Sequence, residues 1–236
     1  MNKKIEKILA KKNKYKIVSL TAYSKSVAKI LDNFCDIILV GDSMANVLYG
    51  LNNTNKVTLE NIIQHTLSVK KGVKKSLLVA DMPKNTYNNL NIAEKNAKLI
   101  MKKTGCDAIK LESNNKNFKI IEELVKKKIP VMGHIGYTPQ FKKKFKIEGN
   151  SIASINKLLK EALLIQKAGA FSIVLECLSP RASKLITSEL KIPTIGIGSS
   201  VYCDGQILVT DDMLGLSGFY PKFVKKYVNL DRIIEK

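Results

Sequence analysis

Arginine, histidine and tryptophan are the scarcest residue types in this 236-residue sequence, which contains two arginines, two histidines and no tryptophan. The formal net charge is nevertheless +20, so lysine supplies nearly all of the positive charge. Arginine is the residue best suited to bidentate contacts with phosphate and guanine, and its scarcity argues against a nucleic-acid-binding protein. Lysine is scattered among many asparagines and isoleucines, a pattern that codon bias produces without any binding function. We interpret the lysine runs at 126–128 and 142–144 as solvated surface.

Cysteine and histidine are also sparse, and their spacing excludes several kinds of site. The four cysteines, at positions 35, 106, 177 and 203, form no CxxC pair and have no histidine at ligand spacing. The usual zinc signatures and a dense disulfide framework are therefore excluded, and the cysteines suit a reducing compartment. No apolar run approaches the roughly 20 residues that a membrane helix needs, and residues 1–16 lack the apolar segment of a secretory signal. We expect a cytoplasmic protein with no membrane partner and no nucleic-acid partner.

What the sequence does contain is a recurring strand signal, a short apolar run that ends in a polar residue. The clearest example is 37–43, which reads Ile-Ile-Leu-Val-Gly-Asp-Ser. Such a run predicts a strand that is buried on both faces and delivers a carboxylate to the mouth of a sheet. The pattern occurs five times, and its polar residues are Asp42, Asp81, Glu112, His134 and Glu176. Each of them alone could merely begin a surface loop, but the repetition indicates a shared site.

Predicted strands and helices alternate along the chain. Strands are predicted at 17–22, 37–43, 76–81, 108–112, 129–134, 171–176, 192–196 and 206–210, and helices after Ser24 and at 58–69, 91–103, 116–127, 151–168 and 180–190, with long loops at 44–57 and 136–149. Eight strands in this order favour a closed (β/α)8 barrel, the TIM barrel, formed by a single domain spanning 1–236. A short amphipathic helix at 3–12 is expected to cap the barrel floor. Because parallel strands point the same way, the five polar residues should share one rim.

Two of these acids stand at the ends of neighbouring strands. Asp42 and Asp81 follow the second and third strands, and adjacent strands lie about 4.8 Å apart, so both carboxylates can reach one ion. Oxygen ligands from two acids, with water completing the shell, suit Mg²⁺ better than zinc. The alternative is that the two acids are held by lysines such as Lys110, which shares a strand face with Glu112.

Nine sequence blocks resemble the 3-methyl-2-oxobutanoate hydroxymethyltransferase family, also called the ketopantoate hydroxymethyltransferase family. They run in the order of the family between about residues 17 and 228, and they lie at 21–23, 40–43, 57–60, 79–83, 110–112, 132–136, 175–177, 192–198 and 203–206. The block at 40–43 reads Val-Gly-Asp-Ser, and the block at 203–206 reads Cys-Asp-Gly-Gln. A match of this length and order is highly specific.

The resemblance implies a (β/α)8 enzyme of pantothenate synthesis. Its members transfer a one-carbon unit from 5,10-methylenetetrahydrofolate to 3-methyl-2-oxobutanoate, a 2-oxo acid, with Mg²⁺ stabilising the enolate of that acid. The implied partners are therefore the small-molecule 2-oxo acid and the folate. The resemblance also implies a homo-oligomer, since the family assembles as a decamer of stacked pentameric rings.

The resemblance assigns a role to each matching residue. Asp42 and Asp81 would bind Mg²⁺ and, together with Ser43 and Lys110, the 2-oxo acid, while Glu112 would be a further acid at the metal. Glu176 would be the base that accepts the C3 proton of the substrate, and His134 would lie in the pocket.

Three positions depart from the family pattern, and two other functions stay open. Ser24 replaces the usual aspartate, 84–87 reads Lys-Asn-Thr-Tyr, and the loop at 137–148 lacks its usual pair of glycines. These departures concern loops and folate contacts more than the metal. One alternative is another Mg²⁺-dependent 2-oxo-acid enzyme of the phosphoenolpyruvate and isocitrate lyase-like barrel group, against which the block at 203–206 speaks. The other is a basic nucleic-acid-binding protein without catalysis.

Overall fold

Eight parallel strands close into a barrel in chain order, with the first strand paired to the eighth. The computed structural model describes residues 2–113, 117–142, 144–218 and 220–236. The strands are β1 (Ile17–Thr21), β2 (Ile37–Val40), β3 (Leu77–Asp81), β4 (Ala108–Lys110), β5 (Val131–Gly136), β6 (Ser172–Glu176), β7 (Thr194–Ile197) and β8 (Gly205–Leu208). The predicted (β/α)8 barrel is confirmed.

Helices precede the barrel, surround it and follow it. They are α1 (Lys3–Ala10), α2 (Lys25–Leu31), α3 (Met44–Val47), α4 (Leu59–Lys70), α5 (Leu90–Thr104), α6 (Phe118–Lys126), α7 (Ile152–Lys167), α8 (Pro180–Glu189), α9 (Thr210–Leu214) and α10 (Leu230–Ile234), with a 3₁₀ turn at Thr54–Lys56. No helix in the described ranges combines the length and the apolar character needed to cross a bilayer.

Strand ends differ from the prediction near the rim. β4 stops at Lys110, so Glu112 lies two residues beyond it, and β5 runs on to Gly136, so His134 lies inside the strand. β8 ends at Leu208, and Thr210, predicted as its last residue, instead begins α9. Strand length is set by pairing with the neighbouring strands, and the apolar pattern of a single strand does not contain that information.

Short helices were also missed. The predicted loop 44–57 contains α3 and the 3₁₀ turn, and α9 and α10 were not predicted because a five-residue helix shows too little periodicity. At the start of α4, Thr58 forms a capping box with Asn61. The predicted start of the helix at 116–127 and the middle of the lysine run at 142–144 lie outside the described residues.

The barrel interior is a separate apolar cluster that α1 closes from below. Alternate residues of the strands point inward, as the two-residue period requires. The interior cluster comprises Ile17, Ile37, Leu39, Leu77, Val79, Ala108, Met132, Phe171, Val174, Ile195 and Ile207 together with Ile5 and Ile8 of α1. The amphipathic face of α1 therefore lies in the floor of the barrel, as predicted.

Lysines in and just after α1 attach it to the strand beginnings. The Nζ atom of Lys4 lies 3.0 Å from Oδ2 of Asp107, and that of Lys12 lies 2.8 Å from Oδ2 of Asp204. Asp204 is buried and also accepts hydrogen bonds from the amide and the hydroxyl of Thr194. Part of the excess lysine therefore serves the fold.

The same inward parity carries polar side chains to the top of the barrel. One apolar layer of the interior consists of Val79, Ala108, Met132 and Val174. The next inward-facing residue on each of these strands is polar, and these residues are Asp81, Lys110, His134 and Glu176. The fold thus places four of the predicted site residues in one layer, at the end of the barrel opposite α1.

Candidate active site

The two aspartates predicted to share an ion are directly linked. Asp42 lies in the turn between β2 and α3, and its backbone amide donates a hydrogen bond of 3.0 Å to Oδ2 of Asp81 at the end of β3. Both side chains are buried. The strand ends therefore bring these acids together, as the sequence indicated.

Lys110 neutralises one of these acids. Its Nζ atom lies 2.5 Å from Oδ1 of Asp81, and both side chains are buried. Burial by itself lowers the pKa of Lys110, but the negative charges of Asp81, Asp42 and Glu112 outweigh burial and raise this pKa above its ordinary value. Lys110 is therefore a buried cation. Its contact with Asp81 agrees with the alternative in which a lysine holds an acid at the end of a strand.

The other carboxylates of the cluster have no such partner. Burial and, to a smaller extent, repulsion from Asp81 raise the pKa of Asp42 to about 7. Burial and, to a smaller extent, repulsion from Asp42 raise the pKa of Glu112 well above its ordinary value. Burial also raises the pKa of Glu176 to about 8, although Lys110 acts in the opposite direction. Among the residues that the structure describes, these acids outnumber the lysine, Lys110, that contacts the cluster.

His134 lies between two of these acids. Its Nε2 atom is 3.1 Å from Oε2 of Glu176, and its Nδ1 atom is 3.9 Å from Oε1 of Glu112. Burial, assisted by the positive charge of Lys110, lowers the pKa of His134 well below its ordinary value, so the ring is neutral. Neither ring nitrogen, nor Oε1 of Glu112, makes a hydrogen bond of normal geometry to any described residue. Unsatisfied buried polar atoms of this kind mark a place that a ligand or water completes.

Gln140, which the sequence did not point out, joins the acids to the loop after β5. Its Nε2 atom donates to Oδ2 of Asp42 at 2.8 Å and to the carbonyl of Met82 at 3.1 Å. Its backbone amide donates to Oε2 of Glu112 at 3.0 Å, and its side-chain oxygen accepts a hydrogen bond of 2.5 Å from the hydroxyl of Tyr87. One loop residue therefore fixes two of the three acids that were predicted to surround a metal.

Ser43, predicted as a substrate contact, is positioned by a tyrosine. The hydroxyl of Tyr23, at the end of the block at 21–23, lies 2.8 Å from Oγ of Ser43. Ser43 directly follows Asp42, so its hydroxyl belongs to the same turn. The structure thus places every predicted site residue at one end of the barrel, and it adds Gln140, Tyr87 and Tyr23.

The donor set fits a hard divalent cation. Within the described residues, no group of three or more His, Cys, Asp or Glu side chains is already arranged around a common ligand position. Mg²⁺, however, is usually bound by one or two carboxylates and keeps several waters, so Asp42 and Asp81 suffice as protein ligands. Burial and, after it, repulsion between neighbouring carboxylates raise the pKa values of Asp42 and Glu112, and a bound cation would relieve that repulsion. The third predicted ligand, Glu112, stays a prediction.

The sequence matches a known family along almost its whole length. A family model described as ketopantoate hydroxymethyltransferase matches residues 2–236. A Pelagibacter ubique protein named 3-methyl-2-oxobutanoate hydroxymethyltransferase is 55% identical over 234 residues, which cover 99% of this chain and 91% of the relative. A protein of the same name from Anaplasma marginale is 47% identical and covers 97% of this chain and 83% of its own length. Another, from Clostridioides difficile, is 48% identical and covers 93% of this chain and 82% of its own length.

Solved structures with similar backbones are more distant in sequence. Phosphonopyruvate hydrolase aligns with a TM-score of 0.67 at 12% identity, covering 87% of this chain and 80% of that chain. The trigonal crystal form of 2,3-dimethylmalate lyase aligns with a TM-score of 0.68 at 11% identity, covering 99% and 80%. At such low identity, this likeness supports the barrel fold alone.

The contacts of Gln140 predict a specific loss of stability. Gln140→Leu keeps the backbone hydrogen bond to Glu112 but leaves Oδ2 of Asp42 and the hydroxyl of Tyr87 without their side-chain partner. We expect the free energy of unfolding in urea to fall by about 1–3 kcal/mol. Gln64→Leu, on the exposed face of α4, is the matched control and should change it by less than about 0.5 kcal/mol. Equal effects of the two substitutions would show that Gln140 does not support the acids.

Proposed function

Since the chain belongs to the ketopantoate hydroxymethyltransferase family, we propose that it transfers a hydroxymethyl group from 5,10-methylenetetrahydrofolate to 3-methyl-2-oxobutanoate. The product is 2-dehydropantoate, a precursor in the biosynthesis of pantothenate and coenzyme A. The observation that carries the proposal is the layer at the top of the barrel. There, a buried lysine–aspartate pair stands beside a glutamate whose pKa lies near neutrality. These groups can bind an anionic 2-oxo acid and remove a proton from it.

Recognition of the 2-oxo acid requires a positive charge in the pocket. Lys110 is the cation of the acid cluster, and its ammonium can pair with the carboxylate of the substrate in a charge-assisted hydrogen bond. The hydroxyl of Ser43, oriented by Tyr23, is a neutral donor in the turn beside it. These two side chains would orient the keto acid so that its C3 atom faces β6.

We propose Mg²⁺ as the cofactor, held by Asp42 and Asp81 with Glu112 nearby. When bound, the ion supplies Lewis acidity that stabilises negative charge on the keto oxygen of the substrate. The protein supplies the two carboxylates and the network that orients them. Gln140 holds Oδ2 of Asp42, and the amide of Asp42 holds Oδ2 of Asp81.

Glu176 is proposed as the base that removes the C3 proton. A catalytic base acts best when its pKa lies near the working pH, and burial brings the pKa of Glu176 to about 8. The side chain of Glu176 is 17% exposed, against 2% for His134 and 1% for Glu112, so Glu176 is the most accessible of these three residues. The neutral ring of His134 lies beside this carboxylate, with its Nε2 atom 3.1 Å from Oε2 of Glu176. The enolate carbon would then bond to the methylene carbon of the folate as one of that carbon's two bonds to nitrogen breaks. Water would replace the second nitrogen, which gives the hydroxymethyl group of the product and releases tetrahydrofolate.

The remaining assignments follow from the same family membership. We propose a cytoplasmic homo-oligomer, a decamer by family resemblance, without a nucleic-acid partner. Exposed apolar side chains on the outside of the barrel, such as Ile152 of α7 and Ile233 of α10, support subunit contacts. The rival 2-oxo-acid enzymes of the lyase-like barrels share the fold at 11–12% identity, so the family match favours hydroxymethyl transfer.

The two-aspartate metal site predicts a loss of Mg²⁺ affinity. Asp42→Asn and Asp81→Asn each remove one anionic ligand from an ion that accepts few protein ligands, so calorimetry should show binding weakened by about tenfold or more. Asp36→Asn, at the barrel floor beside Lys11, is the matched control and should bind as the wild type does. Unchanged affinity in both site variants would exclude the proposed ligands.

The role of Glu176 predicts a selective loss of proton transfer. Glu176→Gln keeps the shape of the side chain but cannot accept a proton, so the rate should fall by about 10²- to 10⁴-fold while substrate and Mg²⁺ binding persist. Exchange of the C3 deuterium of the substrate with solvent, followed by NMR with Mg²⁺ present and folate absent, isolates this step. Glu189→Gln, exposed at the end of α8, is the control and should leave exchange unchanged. Full-rate exchange in Glu176→Gln would leave His134 or Glu112 as the base.

A further inference from the structure

We propose that three aromatic side chains, Tyr137, Phe145 and Phe223, form a stacking surface for the folate co-substrate. We call these three residues the aromatic strip. The inference rests on the proposed function, because it names the place at which the folate of that reaction binds. It also gives a role to the loop after β5, which departs from the family pattern at the sequence level.

The rings of the strip are in continuous contact. The centroids of Tyr137 and Phe145 are 5.1 Å apart in an edge-to-face arrangement, and those of Phe145 and Phe223 are 6.4 Å apart with an angle of 19° between the ring planes. Phe145 remains 56% exposed, so much of its ring is open to solvent. Tyr137 and Phe223 are half-buried beside it. The open face of Phe145 can take up a planar aromatic ligand by stacking.

The inner end of the strip lies against the proposed base. The amide of Tyr137 donates a hydrogen bond of 2.9 Å to the carbonyl of Glu176. Gly136 has a φ of 95°, and a Cβ there would lie 2.1 Å from the carbonyl oxygen of Glu176. The ends of β5 and β6 therefore lie very close together, and the strip begins there, at the rim that carries Glu176.

The outer end of the strip is held by the segment after the barrel. Gly198, just past the end of β7, has a φ of 57°, and a Cβ at this position would lie 2.6 Å from the ring of Phe223. Phe223 therefore packs directly on backbone, in a turn closed by the hydrogen bond from the amide of Val224 to the carbonyl of Pro221. The loop after β5 and the segment at 221–224 thus meet above the rim.

Exposed lysines adjoin two rings of the strip along the chain. Lys144 and Lys146 flank Phe145 in the sequence, Lys222 precedes Phe223, and all three lysines are exposed. Together with the rings, they suit a ligand that combines flat aromatic groups with carboxylates.

The folate is the reactant with this chemistry. It carries two aromatic groups in line and ends in a glutamate with two carboxylates, whereas the 2-oxo acid is small and has no ring. Its methylene group must approach C3 of the substrate beside Glu176, and the rest of the molecule must extend outward from that point. The strip begins beside Glu176, runs outward, and ends among lysines, so its direction and its charge both match.

Substitution of the exposed ring tests the proposal. In Phe145→Ala we expect the KM for 5,10-methylenetetrahydrofolate to rise by about 5- to 30-fold, the loss usual for one stacked ring. The KM for the 2-oxo acid and the folate-free exchange of its C3 deuterium should remain within about twofold of wild type, since neither requires the strip. Phe145→Tyr should restore the folate KM because it keeps a ring. Phe34→Ala, which removes a 75% exposed phenylalanine at the opposite end of the barrel, is the matched control.

The possible outcomes separate the inference from the proposed function. An unchanged folate KM in Phe145→Ala would overturn the inference while leaving the reaction intact. A parallel loss of exchange and folate use would show that the strip only supports the fold, and an altered mass in light scattering with an unchanged folate KM would make it a subunit contact. If the wild type transfers no hydroxymethyl group, the proposed function itself fails.

Discussion

The ion pair between Lys110 and Asp81 is the interaction on which the rest of the site depends. The pair is buried, and breaking such a pair by removing one partner usually costs about 3–5 kcal/mol. Around it lie Asp42, Glu112 and Glu176, so within the described part of the chain the ammonium of Lys110 faces four carboxylates. Burial without full neutralisation raises the pKa values of these three acids. Because the charges do not balance, the arrangement is suited to a bound cation and to a base that changes its protonation near neutral pH.

The barrel makes this concentration of charge tolerable. Its lower half is an apolar cluster closed by α1, and the polar layer begins only two residues higher on the same inward faces. Rigid strands thus fix Asp81, Lys110, His134 and Glu176, while the loops supply Asp42 and Gln140. Gln140 connects these two sources, because its side chain binds Asp42 and its backbone binds Glu112. The site is therefore held partly by strand register and partly by one loop.

The sequence predicted what depends on local patterns. Apolar runs that end in acids identified the strands, and their number and order identified the barrel. The motif blocks pointed to the family that the comparisons confirm. Contacts between distant loops were not predictable, because periodicity says nothing about them. Gln140 stands 98 residues from Asp42 in the chain, and neither residue has a pattern that pairs them. The same holds for the contact of Phe145 with Phe223, because the two residues lie in segments that are far apart in the chain.

The proposed chemistry requires that the 2-oxo acid, the folate and the metal all act at one rim of this barrel. The most direct measurement is product analysis after purified protein is mixed with 3-methyl-2-oxobutanoate, 5,10-methylenetetrahydrofolate and Mg²⁺. We expect 2-dehydropantoate to form, its formation to stop when a chelator removes the metal, and its formation to resume when Mg²⁺ is added back. Folded protein that forms no 2-dehydropantoate with all three present, or forms it equally well with the chelator, would contradict the account.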